Sequence, residues 1–341
     1  MFFRFLATVS LLNQIRNSHA APASEIDRYP IAPAIRILHQ FPNLTSIENI
    51  AARPNGKLLL TPLTSSSVYS LDPTSPAVAN IIYTFPNANT LLGITEYEPD
   101  VFAVVAGPDG SNPAIPWVIW SLDFRKCVTG NDVPEAHKIA TLPKALLVNG
   151  LTHLAPGSPW ILAADSQLGV IWRINTKTGR YEIAISDLLL APGTAFGITL
   201  GVNGIRISGH HLSFTNSLLE GGLFAKIPIN LITGAPLGNA TIIARNGVCD
   251  DFAIDTKGNA WVTQNVLNGV QLIKPDGSFS VVLGGLNSTV FEGATSAVFG
   301  RTVKDRKTLY VSTNGGSGIP IPGTFRVGGT VVAVDTTRIG G

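Results

Sequence analysis

Cysteine, methionine and charge are all scarce in this chain. Its 341 residues include two cysteines and one methionine, 13% are charged, and the net charge is +2. No cluster of lysine and arginine stands out, so the sequence offers no electrostatic footprint for nucleic acid. No segment keeps an apolar period of 3.6 residues, which excludes long amphipathic helices. No apolar run is long enough to span a bilayer, so no membrane span is expected. Nucleotide and hydrolase signatures are missing too: there is no Walker loop, no Gly-x-Ser-x-Gly elbow and no His-Glu-x-x-His. No organic cofactor is expected.

What the chain does contain is a repeat of about 50 residues, a spacing suited to propeller blades. Six phrases match: Glu48-Asn-Ile-Ala-Ala, Leu92-Gly-Ile-Thr-Glu, Asn149-Gly-Leu-Thr-His, Asn203-Gly-Ile-Arg-Ile, Asp250-Asp-Phe-Ala-Ile and Thr295-Ser-Ala-Val-Phe. Each opens a unit of four short β-runs, with Gly, Pro, Asn and Asp in the gaps as hairpin turns require. Fourth runs are expected near 34–40, 78–84, 136–142, 181–187, 240–245 and 278–283. The last unit has no fourth run downstream. The run beginning at Ala34 is therefore expected to complete it and protect the sheet edges. The fold expected is all-β: one six-bladed propeller over residues 31–341, closed by its N-terminal strand.

The first 20 residues read as a secretion signal. Arg4 precedes an apolar stretch, and Ser18-His19-Ala20 fits small-x-small cleavage. Residues 21–30 would then lead into the fold. Sequons at Asn43, Asn239 and Asn287 agree with passage through the secretory pathway. Cys127 should lie at the bottom of blade two and Cys249 at the top of blade five. A disulfide needs Cα atoms within about 7 Å, so two free thiols are expected.

Reading down the first column of the phrases gives Glu48, Leu92, Asn149, Asn203, Asp250 and Thr295. Glu48, Asn149, Asn203 and Asp250 supply carboxylate and amide oxygens at one level. Such donors suit a hard cation, and Ca²⁺ is the cofactor they admit. A water-filled channel also accepts polar residues without a metal, and Asn-Gly suits tight turns. Four matching positions tip the balance toward the cation. Top-face loops at 141–148, 187–200 and 316–327 are long and apolar, as the roof of a pocket for a lipophilic small molecule would be. Packing on one another or on a partner is the bland alternative. Phe196, Phe291 and Trp117 are the candidate walls. Lys144, Asp165, Glu292 and Arg326 are the candidate polar groups at the rim and the candidate catalytic residues, though each alone is an ordinary surface charge. His153 reads as structural, and His210-His211 fall in a bottom turn.

The ring resembles the calcium site of the SMP-30/gluconolactonase/diisopropyl fluorophosphatase superfamily of six-bladed propellers. Asn149-Gly-Leu and Asp250-Asp-Phe-Ala-Ile-Asp255 carry the likeness. Glu48-Asn-Ile-Ala-Ala-Arg-Pro-Asn-Gly-Lys-Leu-Leu-Leu-Thr, Glu98-Pro-Asp-Val-Phe-Ala-Val-Val-Ala-Gly and Gly201-Val-Asn-Gly-Ile-Arg-Ile resemble its fungal secreted-type members. The hetero-Diels-Alderases of tropolone sesquiterpenoid biosynthesis are similar propellers. The resemblance implies an enzyme of secondary metabolism, a pericyclase joining a reactive heterodiene to an alkene. The same superfamily also implies a calcium-dependent lactonase or phosphoesterase as the alternative. A non-catalytic binder of lipophilic ligands is the third reading, because fold does not fix chemistry. The partner expected is a lipophilic small molecule, and the protein is expected as a monomer or weak oligomer.

Overall fold

A computed structural model describes residues 33–110, 114–127 and 132–339. Six four-stranded antiparallel sheets account for nearly all of its regular structure. Blade one holds β2 (Ile47–Ala52), β3 (Leu58–Pro62), β4 (Ser67–Leu71) and β5 (Ala79–Thr84). Blade two holds β6 (Thr90–Glu98), β7 (Val101–Gly107), β8 (Trp117–Asp123) and β9 (Glu135–Leu142). Blade three holds β10 (Val148–His153), β11 (Trp160–Asp165), β12 (Val170–Asn175) and β13 (Tyr181–Ser186). A short extra hairpin, β14 (Gly193–Ala195) with β15 (Ile198–Leu200), precedes blade four. Blade four holds β16 (Val202–Ser208), β17 (His211–Asn216), β18 (Leu223–Pro228) and β19 (Thr241–Ala244). Blade five holds β20 (Phe252–Ile254), β21 (Ala260–Gln264), β22 (Gly269–Ile273) and β23 (Phe279–Gly284).

Blade six is built from both ends of the chain. Its inner strands are β24 (Ala294–Phe299), β25 (Thr308–Thr313) and β26 (Thr330–Asp335), and its outer strand is β1 (Ile35–Gln40). Ile35 faces Val334 and Gln40 faces Thr330 across that pair. The expected closure by the N-terminal strand is what the structure shows: β1 covers the outer edge of β26 and ties both ends of the fold into one blade. Leu38 is the one deeply buried side chain of β1. Leu38→Ala should therefore cost about 2–4 kcal/mol in urea unfolding, as large-to-small core changes do.

The core lies between blades. Each of six apolar clusters fills one blade-to-blade interface; Phe85, Phe102 and Phe124, for example, join blades one and two. Middle strands touch neighbours on both faces, which is why β3 and β7 are buried at every residue. Hydroxyls then stitch the blades together at the level of the phrases. Thr61 Oγ1 donates to Leu92 O (2.6 Å), and Ser166 Oγ to Val202 O (2.6 Å). Thr215 Oγ1 donates to Asp250 O (2.6 Å), Thr263 Oγ1 to Thr295 O (2.8 Å) and Thr295 Oγ1 to Ile47 O (2.9 Å).

Cys127 and Cys249 are both free thiols, as expected. His153 has a ring nitrogen 2.8 Å from Ser158 O, a local structural contact. Among the described residues, no helix is long and apolar enough to cross a membrane. Asn43, Asn239 and Asn287 are all exposed. The signal and leader expected over residues 1–30 lie outside the described residues.

Candidate functional site

Inner strands β2, β6, β10, β16 and β24 each slip register at the first column of the repeat. The slips fall between Ile47 and Asn49, Leu91 and Ile94, Val148 and Leu151, Val202 and Ile205, and Ala294 and Ser296. A bulge leaves a residue unpaired and re-aims its side chain. The column residues Glu48, Leu92, Asn149, Asn203 and Thr295 fall within these slips. Asp250 stands two residues ahead of β20.

The glycines of the phrases are there for a different reason than a turn. Asn149-Gly150 and Asn203-Gly204 lie within strands. A Cβ on Gly93 would meet Asn149 O at 2.2 Å, and one on Gly150 would meet Asn203 O at 2.4 Å. At these positions the next inner strand approaches too closely for any side chain.

One top-face cavity of about 340 Å³ gathers Glu48, Leu92, Asn149, Asn203 and Asp250. Asn265, Asn314, Ser217, Ser317 and Cys249 add polar groups. Leu63, Leu147, Phe196, Ile198, Leu200, Leu218, Val248, Val266 and Ile319 add apolar ones. All three apolar loops singled out in the sequence contribute, through Leu147, through Phe196, Ile198 and Leu200, and through Ser317 to Ile319. No histidine, lysine or arginine of the described residues lines the cavity. Phe196 sits at the tip of the β14–β15 hairpin with φ 53°, followed by Gly197 with φ 79°. That left-handed conformation is costly for a bulky side chain.

The carboxylates are crowded. Asn203 Nδ2 donates to Asp250 Oδ1 (2.9 Å) and Ser217 Oγ (3.0 Å), and Asn265 Nδ2 to Asp250 Oδ2 (3.3 Å). Burial, with Asp251 nearby, pushes Asp250 up to about 7 despite those amides. Burial, then Asp250 and Asp251, holds Glu48 well above the usual carboxylate range. Two carboxylates with too little compensating charge, beside amides on separate blades, make a donor set that fits a hard cation. Asn203 spends its amide nitrogen on Ser217 and Asp250, which leaves its oxygen as the available donor. Glu48, Asp250, Asn149 and Asn203 are the residues that would hold calcium.

Beneath them lies a polar network that the sequence reading missed. Asp251 Oδ2 accepts from Arg206 (2.8 Å), Ser296 Oγ (2.9 Å) and Asn49 Nδ2 (3.0 Å). Asp251 Oδ1 accepts from Phe252 N (2.8 Å). Asn49, Asp251 and Ser296 share the second column of the aligned phrases and Arg206 stands in the fourth, so reading those columns as the first was read would have brought the network out. Asn314 closes a second-strand run ending Ser-Thr-Asn, and Asn265 follows one ending Thr-Gln. Aligning the ends of those runs, as the first column was aligned, would have brought them out.

Several expected positions fall elsewhere. Asp165 is fully buried, and its carboxylate accepts from Leu146 N, Leu147 N, Leu168 N and Trp172 Nε1. Glu292 is buried and accepts from Ile321 N (3.1 Å), fastening the 316–327 loop. Both carboxylates hold loops in place instead of lining the rim. Phe291 packs in the core between blades five and six. Trp117 is also buried, and its Nε1 donates to Leu146 O (3.0 Å). It lines a neighbouring cleft that shares Leu63, Leu92 and Leu147 with the cavity. Lys144 is exposed and Arg326 half-buried, and neither lines the cavity. Thr295 is buried in the hydroxyl stitching between blades.

No family model matches the chain. A protein of Phoma sp named "putative hetero-Diels-Alderase" is 29% identical over 342 residues, covering 92% of this chain and 96% of its own. The protein asR5 of Sarocladium schorii carries the same name. It is 30% identical over 348 residues, covering 89% of this chain and 83% of its own. The chain belongs to this hetero-Diels-Alderase family. Solved propellers share the fold at lower identity. A luciferin-regenerating enzyme gives a TM-score of 0.62 at 14% identity, covering 89% of this chain and 95% of that one. Regucalcin of Agrobacterium tumefaciens gives 0.57 at 17%, with the same coverage. A gluconolactonase of Xanthomonas campestris gives 0.57 at 13%, covering 89% of each.

Proposed function

We propose that this family member catalyses a hetero-Diels-Alder cycloaddition at the top-face cavity. The observation that carries the reading is the cavity's make-up: apolar walls, amide and carboxyl groups on the floor, and no lining histidine or lysine among the described residues. A cycloaddition needs no nucleophile and no general base. The heterodiene O=C–C=C and the alkene C=C exchange three π bonds for one. One C–O and one C–C σ bond form, and nothing leaves.

Leu63, Leu92, Leu147, Ile198, Leu200 and Ile319 would exclude water and press the two partners together. Orientation of this kind supplies about 7–11 kcal/mol in good intramolecular cases. The amides of Asn149, Asn265 and Asn314 are the groups placed to donate to the heterodiene oxygen as it gains charge. They replace Arg326 and Lys144 in that role, because they line the cavity and those two do not. Calcium, when bound by the ring, would supply further polarisation of an oxygen.

The oxygen ring favours one second reading, a calcium-dependent lactonase or phosphoesterase. A single experiment separates the two. Purified protein is given a trapped heterodiene with an alkene, and in parallel a lactone panel, with and without chelator. Enantioenriched cycloadduct that survives chelation, with Glu48→Gln nearly as active, is the expected result. Chelator-sensitive lactone turnover without cycloadduct would overturn it.

A further inference from the structure

The cavity is small for a reaction that joins two lipophilic molecules. Its volume of about 340 Å³ lies near the lower end for a pocket that holds one drug-sized ligand. A cycloaddition needs both reactants held in contact at once. A second space adjoins it over blade two, a cleft of about 590 Å³. Leu63, Leu92 and Leu147 line both. A molecule in the cleft and a molecule in the cavity therefore rest against the same three side chains.

The cleft's own groups say what it takes. Its polar side chains are turned to the protein. Thr90 Oγ1 donates to Leu63 O (2.7 Å), and Thr64 Oγ1 accepts from Ser46 N (3.1 Å). Asn89 Nδ2 donates to Asp109 Oδ1 (3.3 Å), and Trp117 Nε1 donates to Leu146 O (3.0 Å). Leucines are what it offers a ligand: Leu63 is 39% exposed and Leu146 54% exposed. Leu92 adds an independent sign. It holds the column position at which blades one, three, four and five place Glu48, Asn149, Asn203 and Asp250. The ring of oxygens is thus interrupted by an apolar residue on blade two, the blade beneath the cleft.

We infer that the cleft over blade two is a second substrate subsite and that it holds the apolar alkene. The cavity, with its amides and carboxyls, holds the oxygen-bearing heterodiene. The two meet over Leu63, Leu92 and Leu147. This deepens the reading given under the proposed function and rests on it, since only a reaction between two molecules calls for two adjoining subsites.

Binding without turnover tests the assignment. Limonene, a stable apolar alkene, and an ortho-hydroxyaryl ketone, a stable mimic of the heterodiene, are titrated separately into the full chain by calorimetry. Leu146 and Gln167 line the cleft and not the cavity, and both are exposed, so changing them should leave folding intact. Leu146→Asn takes away apolar wall, and Gln167→Trp fills space. Each should weaken limonene roughly tenfold or more, as losing contact with a large apolar group implies, and leave the ketone unaffected. Val266 lines only the cavity, so Val266→Trp should do the reverse. In turnover, the two cleft variants should raise KM for the alkene and not for the heterodiene. Absence of limonene binding would overturn the inference. So would limonene binding that neither cleft variant weakens, or that Val266→Trp weakens as much, which would put the alkene in the cavity. Limonene held in the cleft with no cycloadduct would support the alkene site and remove only the proposed reaction. Cycloadduct formed while limonene binding ignores both cleft variants would remove the subsite and leave the reaction.

Discussion

Gly204→Ala is expected to destabilise the protein by about 3 kcal/mol or more, at the upper end of what overpacking costs. The added Cβ would lie 2.2 Å from Asp251 Oδ1 and 2.8 Å from Asp251 Cα. Asp251 cannot turn aside, because Arg206, Asn49, Ser296 and Phe252 N hold both its oxygens. Relief would require blade five to move away from blade four, and every other blade interface shares the same closed ring. Gly150→Ala should behave alike, since its Cβ would meet Asn203 O at 2.4 Å. Gly318→Ala is the control. Nothing lies within 4 Å of its Cβ, and stability should stay within about 0.5 kcal/mol. Chemical unfolding of the three variants checks this; near-native stability for Gly204→Ala would mean that the inner strands are not locked.

Calcium is expected to raise the melting temperature, and more so at higher pH. Glu48 and Asp250 both have folded-state values above their ordinary ones. The cation-free folded chain therefore binds more protons than the unfolded chain does. Their stabilising contribution is complete below the usual carboxylate range and drains away as pH rises through about 7 for Asp250. Coordination requires both groups deprotonated, so calcium competes with those protons and its benefit grows over the same interval. At a hundred times its dissociation constant a ligand adds about 2.7 kcal/mol. Thermal melts near about pH 5 and about pH 7.5, with calcium or with chelator, read this out directly. Glu48→Gln should abolish the calcium shift while stabilising the cation-free protein at the higher pH. A flat response of the native chain to calcium would mean that the ring holds no cation.

The blade count, the strand order and the closing strand were legible because period-two runs and turn residues recur at a fixed spacing. The ring was legible as a column because a bulge repeats at the same place in successive inner strands. Asn149-Gly150 and Asn203-Gly204 were ambiguous, since Asn-Gly is also a turn dipeptide. What decides between the readings is the approach of the next blade, which lies some 50 residues downstream. Asp165 and Glu292 looked like rim charges because the amides they bind are not marked in any sequence pattern. Phe291 and Trp117 looked like pocket walls for the same reason: depth of burial is set by packing between blades, not by the loop that carries the residue. The hairpin at 193–200 read as an apolar loop, since three-residue strands give no period to detect.

The pairing of β1 with β26 bears on how this chain is made. During synthesis Ile35–Gln40 leaves the ribosome about 290 residues ahead of its partner Thr330–Asp335. At ordinary rates of elongation the first strand waits roughly half a minute for the strand it must join. Ile35 and Ile37 keep apolar side chains exposed even in the finished ring, and before closure the whole backbone edge is open as well. The nascent chain thus carries an unpaired, sticky strand while the five complete blades between the pair are made. Late closure by β26, more than formation of any single blade, is then the step at which the folding chain is most open to aggregation.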